Sequence, residues 1–144
     1  MFFQGINDHS LDAKNRLTVP SKARALLANG VTVAMGFEKC LTVYPAADYQ
    51  DIAKAALAGL NPMSSAARDL KRHLYGNAIT VDLDSAGRIA IPPKYAAHAG
   101  ITKEVTVVGA GECLELWEPA SYDTKNADLI QRAADHIENI GDPA

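Results

Sequence analysis

The chain has 144 residues, of which 48% are apolar, enough to build the core of one ordinary domain or of two small fused ones. No apolar run approaches the roughly 18 residues of a membrane span and no signal peptide is evident, so we expect a cytoplasmic protein without a membrane partner. The net charge is −3, but residues 1–103 carry +4 and residues 104–144 carry −7, which predicts a basic working body and an acidic tail.

The most informative feature is an internal repeat, because LDAKNRLTVP at 11–20 recurs as LDSAGRIAIP at 83–92. Downstream, VTV occurs twice, and CLTVYPAADY at 40–49 recurs as CLELWEPASY at 113–122. The spacing between the copies changes only slightly along the chain, so only small insertions separate them. The pattern indicates a duplicated unit.

Each unit predicts the same elements in the same order. A strand leads into the turn, and a second strand, RLTVP or RIAIP, ends in proline. A short helix follows over 21–30 and over 93–100, each stopped by a glycine, and then a hairpin. A unit of this size is too small to bury a core alone, so we expect the two to pack pseudo-symmetrically into one body.

Helices are also predicted between and after the units. Residues 46–59 are rich in alanine, and Ser64 or Ser65 can cap a second helix over 66–76. The tail is predicted to be helical, with an apolar stripe that we expect to pack on the core. Its members are Tyr122, Leu129, Ile130, Ala133 and Ile137. The predicted divisions are a first repeat at 1–49, a helical connector at 50–76, a second repeat at 77–122 and the tail at 123–144.

The turn inside each motif has the sequence DAKNR or DSAGR. Gly87 can adopt a positive φ, and asparagine, here Asn15, is among the few other residues that tolerate it. Asp12 and Asp84 can accept hydrogen bonds from turn amides and brace the arginine that ends each turn. We therefore expect the aspartate to shape the loop and the arginine to project from it.

A catalytic role for these turns is disfavoured. An aspartic-protease dyad would need a small hydroxyl residue and a glycine after each Asp, whereas Asp12 and Asp84 are followed by Ala-Lys and Ser-Ala. Nucleophile-elbow, P-loop and HExxH motifs are absent from the sequence. The four histidines are scattered, and neither Cys40 nor Cys113 belongs to a CxxC pattern. We expect no enzyme, no small-molecule substrate, no metal, no cofactor and two buried free thiols.

Two other interpretations of the turns remain open. They could be plain tight turns with exposed arginines, which would be the default for an isolated motif. Against this, four cations stand within eleven residues of the first unit without an acid between them: Lys14, Arg16, Lys22 and Arg24. Arginine can bind guanine through two hydrogen bonds, and both cations neutralise phosphate. Many weak loops on one assembly would bind nucleic acid by avidity.

The chain resembles the MraZ family, whose members carry two copies of an AbrB/SpoVT-type swapped-hairpin domain. The resemblance rests on both motifs, on GFEKCLTVYP and GECLELWE, and on LYGNA, and it covers residues 1–122 and a helical tail. It implies a mainly β fold with flanking helices (α+β), a pseudo-symmetric double pseudo-barrel. It also implies a ring-shaped homo-oligomer, associated with the nucleoid, that binds short repeats in double-stranded promoter DNA and typically represses the division and cell wall gene cluster.

The resemblance assigns roles to individual residues. It marks the Asp and Arg of each turn, and the AbrB pattern adds a basic residue at Arg24, where the second unit has Ala96. Asn15 departs from the glycine that is common in the first family motif. We expect the first copy to meet DNA and the second chiefly to complete the barrel. The predicted DNA contacts are Lys14, Arg16, Arg24 and Arg88, and the predicted loop-shaping residues are Asp12, Asn15, Asp84 and Gly87.

An alternative function is an AbrB-like scaffold or antitoxin-type interaction module without autonomous DNA specificity. Single-unit antitoxins usually end in a disordered toxin-binding segment. The predicted helical tail instead favours packing, and so favours the regulator.

Overall fold

The computed structural model describes residues 1–140. These residues form eight strands and five α-helices, and α3 continues into a π-helical turn at Arg72–Gly76. In chain order the elements are β1 (Ile6–Ser10), β2 (Arg16–Thr18), α1 (Ser21–Arg24), β3 (Val31–Met35), β4 (Leu41–Pro45), α2 (Ala46–Leu57), α3 (Ser65–Lys71), β5 (Ala78–Val81), β6 (Arg88–Ala90), α4 (Pro93–His98), β7 (Glu104–Gly109), β8 (Leu114–Trp117) and α5 (Pro119–Ile140).

The two repeats exchange their first strands. The large sheet has the order β1-β7-β8-β4-β3-β5, so β1 pairs with the hairpin of the second repeat and β5 with that of the first. The registers are equivalent, because Ile6 lies opposite Val108 where Ala78 lies opposite Ala34. The prediction of a mainly β, pseudo-symmetric swapped-hairpin fold is confirmed. Within residues 1–140 the sheet has β1 and β5 at its edges and is not closed.

A second, two-stranded sheet consists of β2 and β6, which pair antiparallel. Side chains alternate between the two faces of a strand, so the opposed residues Leu17 and Ile89 both point into the core. The main core is continuous across both repeats, and its fully buried members include Leu17, Val19, Leu27, Val31, Val33, Leu41, Val43, Ile89, Val105, Val107 and Leu116. Neither repeat has this core to itself.

The predicted helices form with adjusted lengths. Helix α2 begins where expected and ends at Leu57, and the hydroxyl of Ser64 caps α3 by accepting from the amide of Ala67 at 3.1 Å. The helix expected over 21–30 is regular only as far as Arg24. From there to Gly30 the backbone is held by hydrogen bonds between residues three apart, and Gly30 has a φ of +117°.

The expectation that the tail stripe packs on the core is wrong for most of its members. Tyr122 is buried beside Trp117, but Leu129, Ile130 and Ile137 are 38%, 68% and 70% exposed. Helix α5 contacts the sheet through its first turns and then extends away from it. Apolar residues at helical spacing indicate that a helix has an apolar face. They do not indicate which element of the structure packs against that face.

The two cysteines are free and buried, as predicted. Burial raises the pKa of Cys40 to about 12 and that of Cys113 to about 11, so both thiols are protonated at neutral pH. Among the helices of residues 1–140, none is long and apolar enough to span a membrane.

Candidate nucleic-acid interface

The turn at residues 12–16 is held by one carboxylate. Oδ1 of Asp12 accepts from the amides of Lys14 at 2.8 Å and Arg16 at 3.0 Å. Oδ2 accepts from Nε of Arg16 at 2.8 Å. The backbone closes the same loop, because the amide of Asn15 donates to the carbonyl of Asp12. Asp12 therefore bonds to two amides of the turn and to the arginine that ends it.

The turn at residues 84–88 repeats this arrangement. Oδ1 of Asp84 accepts from the amides of Ala86 and Arg88, each at 2.9 Å, and Oδ2 accepts from Nε of Arg88 at 2.8 Å. The fourth residue of each turn has a positive φ, +56° for Asn15 and +75° for Gly87. The two copies therefore have the same turn conformation.

The hydrogen bonds acidify both carboxyl groups. The pKa values of Asp12 and Asp84 lie below the ordinary value, chiefly because the amide of Arg16 or Arg88 donates to each carboxylate. The side-chain bond from the same arginine adds to this, and partial desolvation opposes it. Both aspartates are therefore charged at neutral pH.

The arginines do not extend freely into solvent. The side chains of Arg16 and Arg88 are 29% and 31% exposed, because each folds back onto its own aspartate. An Nη group of Arg88 also lies 3.8 Å from Oδ2 of Asp12, which links the two repeats. Arginines held in this way lose less conformational freedom on binding than arginines on a mobile loop.

Both arginines lie on one face of the two-stranded ribbon formed by β2 and β6. Arg16 is opposite Ala90 and Arg88 is opposite Thr18, and the residues between them face the core. These four residues therefore share the outer face, which we call the ribbon face. Thr18 was not predicted to be a site residue. It lies two residues after Arg16 in the same strand, and this spacing places both side chains on one face.

The remaining predicted contacts lie on either side of the ribbon. Lys14 is exposed at the tip of the first turn. Arg24 is half-buried, and its side chain lies over Gly87, in the second turn and not the first. In space each turn therefore has two cations, Lys14 with Arg16 and Arg24 with Arg88. Arg24 belongs to the first repeat in the sequence, but its guanidinium lies beside the turn of the second repeat.

Reciprocally exchanged hairpins that carry two aspartate-braced turns define a double-repeat protein of the AbrB/SpoVT swapped-hairpin class. The family model described as the MraZ protein, antitoxin-like, matches residues 2–73 and again residues 74–139. The chain belongs to the MraZ family.

Individual relatives are similar over nearly their whole length. A protein of Mycoplasmoides gallisepticum is 33% identical over 140 residues, which cover 97% of this chain and 98% of the relative. One from Thiobacillus denitrificans is 40% identical, covering 89% and 88%, and one from Burkholderia cenocepacia is 40% identical, covering 96% and 98%. All three are named transcriptional regulator MraZ. The family confirms that this chain is not an enzyme.

Proposed function

We propose that this protein is a sequence-specific DNA-binding transcriptional regulator that contacts promoter DNA through the ribbon face and its two turns. One observation carries the proposal: Arg16 and Arg88 lie on the same outer face of the ribbon, each oriented by its own carboxylate. The relatives' names, which describe transcriptional regulators, support it.

The chemistry of this surface suits a base edge or a phosphate. Asp12 and Asp84 engage the arginines through Nε, at 2.8 Å in each turn. The Nη groups of Arg16 can then donate to guanine O6 and N7 or to phosphate oxygens. Lys14 and Arg24 bring further positive charge to the two ends of the ribbon. Four cations against two aspartates make the surface basic within an acidic chain.

A single ribbon of this size binds DNA weakly, so we extend the proposal to a ring-shaped homo-oligomer. Several ribbon faces on one assembly would engage short promoter repeats together, and avidity would supply the affinity. By resemblance to the family, the target is the promoter of the division and cell wall gene cluster, the effect is repression, and the protein is cytoplasmic and nucleoid-associated.

Titrating the protein with its own upstream DNA at several salt concentrations tests the proposal. A regulator that contacts phosphates gives a steep log–log dependence of affinity on salt, at about 0.9 per phosphate neutralised. Arg16→Ala should weaken binding about tenfold or more, since a bidentate base contact is worth roughly 1–3 kcal/mol. The matched control is Arg72→Ala, which removes the same charge from an exposed pair with Asp69. A slope near zero, or equal effects of the two substitutions, would contradict the proposal.

A second candidate, an antitoxin-type or scaffolding module, is favoured by the exposed apolar face of α5. Leu129, Ile130 and Ile137 present that face to solvent, and the family model is described as antitoxin-like. Such a module would bind the upstream duplex and a scrambled duplex of equal length with the same affinity. At least tenfold preference for the upstream duplex would exclude it.

A further inference from the structure

We propose that Arg24 is a positioning residue for the second turn, and that it holds residues 84–88 in the shape that presents Arg88 to DNA. The part of this inference that concerns DNA rests on the proposed function. The part that concerns the contact between Arg24 and the turn stands on the structure alone.

The contact is close and crosses the repeats. A Cβ atom on Gly87 would lie 2.5 Å from Nε of Arg24 and 2.7 Å from its Cζ, so the guanidinium covers this glycine directly. Nε of Arg24 donates to the carbonyl of Val19 at 3.0 Å, and the amide of Val19 donates to the carbonyl of Gly87 at 2.9 Å. Arg24 is therefore connected to the second turn by packing and through one shared residue, Val19.

The positions equivalent to Gly87 and Arg24 have residues of different size in the other copy of the repeat. Its fourth residue is Asn15, with a side chain, and the repeat places Ala96 where the first repeat has Arg24. The amide of Ile91 donates to the carbonyl of Asn15 at 2.9 Å, which is the same bond that Val19 makes to Gly87. The repeat thus has a large residue and glycine at these two positions in one copy, and alanine and a residue with a side chain in the other.

The position of Arg24 explains why residue 87 is glycine. A positive φ alone does not require glycine, because Asn15 adopts +56° at the equivalent position. The additional requirement is space, since any side chain at Gly87 would displace Arg24. Arg88 follows immediately, and its amide is fixed by Asp84, so the peptide that Arg24 covers leads directly into the DNA-facing arginine.

A double-mutant cycle between Gly87→Asn and Arg24→Ala tests the contact, with urea unfolding as the readout. Asparagine tolerates the φ of this turn, so the single Gly87→Asn protein should be destabilised mainly by the collision with Arg24. The double variant has the residue types found at the equivalent positions Asn15 and Ala96, and it should regain most of the loss in the urea midpoint because the collision is removed. Effects that simply add, with no recovery, would overturn the contact. This cycle needs no DNA, so it decides the contact even if the proposed function fails.

DNA affinity then identifies the turn through which Arg24 acts. We expect Arg24→Ala to weaken binding about fivefold or more, and Arg24→Lys nearly as much, because lysine keeps the charge but not the planar packing. In the Arg24→Ala background, Arg88→Ala should cost much less than it does in the wild type, whereas Arg16→Ala should cost the same. Full additivity with Arg88, or recovery by lysine, would show that Arg24 acts as an independent charge. If the wild-type protein showed no salt-dependent binding to DNA, the proposed function would instead be refuted.

Discussion

The two turns at residues 12–16 and 84–88 have the same backbone and different surroundings. Asp12 and Asp84 make the same three hydrogen bonds at nearly the same distances. The surroundings differ because Arg24 lies beside Gly87 of the second turn, whereas the residue equivalent to Arg24 in the second repeat is Ala96. The same turn thus forms around one carboxylate in both copies, although the other positions differ.

The largest loss of stability is expected from a substitution on the buried side of the ribbon that connects the two turns. Leu17 is fully buried on the inner side of the ribbon, opposite Ile89. Leu17→Ala should lower the free energy of unfolding by about 2–5 kcal/mol, because the cavity cannot collapse against a β-sheet core. Urea unfolding measures this, with the exposed neighbour Thr18→Ala as the control at about 0.5 kcal/mol or less. A loss below about 1 kcal/mol for Leu17→Ala would show that the ribbon is not part of the core.

Removing either aspartate tests whether the turns are equivalent. Asp12→Ala and Asp84→Ala each delete two bonds to backbone amides and one to an arginine, so each should lower the urea midpoint. Because these bonds match, the two decreases should be similar, and that of Asp12→Ala should be at least as large, since Oδ2 of Asp12 also lies 3.8 Å from Arg88. A decrease in one turn that is more than twice that in the other would break the comparison.

Acid should destabilise both turns together. The pKa values of Asp12 and Asp84 are lowered in the folded state, so each carboxylate stabilises the fold above its unfolded value of 3.8. That stabilisation is lost as the pH falls below 3.8 through the folded values. Between pH 5 and pH 2, the free energy of unfolding should depend less steeply on pH in the Asp12→Asn, Asp84→Asn double variant than in the wild type. An unchanged slope would assign the acid sensitivity to other carboxylates, such as Glu118, whose pKa is also lowered.

The smallest effect should come from making the turn tips alike. Ala86 occupies the position of Lys14, and both are exposed. Ala86→Lys should tighten binding to upstream DNA a few-fold and raise the salt slope by up to about 0.9, because one more phosphate can be neutralised. Lys14→Ala should do the reverse, with the exposed Lys54→Ala on α2 as the control. No change for Ala86→Lys would show that the second turn lies away from DNA, as the sequence suggested.

Local features were predictable because they depend on neighbouring residues. The brace between Asp12 and Arg16 and the positive φ of Asn15 follow from bonds that span four residues or fewer. The location of Arg24 was not predictable in this way, since it depends on which strand pairs with β2. The strand exchange that decides this came from the family resemblance and not from periodicity.

The tail shows a second limit. The spacing of Tyr122, Leu129 and Ile130 correctly predicted a helix with one apolar face. Tyr122 reaches the core, while Ile130 does not, because α5 extends beyond the sheet. In the connector, α3 and the π-helical turn after it lie against α2 and cover its apolar side through Leu70 and Leu74. Which face of a helix acquires a neighbour is a property of the whole fold.

The strand exchange also determines when the chain can fold. Ile6 pairs with Val108, so about a hundred residues separate the partners of the outermost ladder. Strand β1 is synthesised before β7 and cannot make these hydrogen bonds until the second repeat has been synthesised. Pairing of such distant segments is slow, and it leaves an open sheet edge exposed in the meantime. The duplicated chain joins two exchanging partners covalently, at the cost of delaying the first strand until the second repeat has emerged.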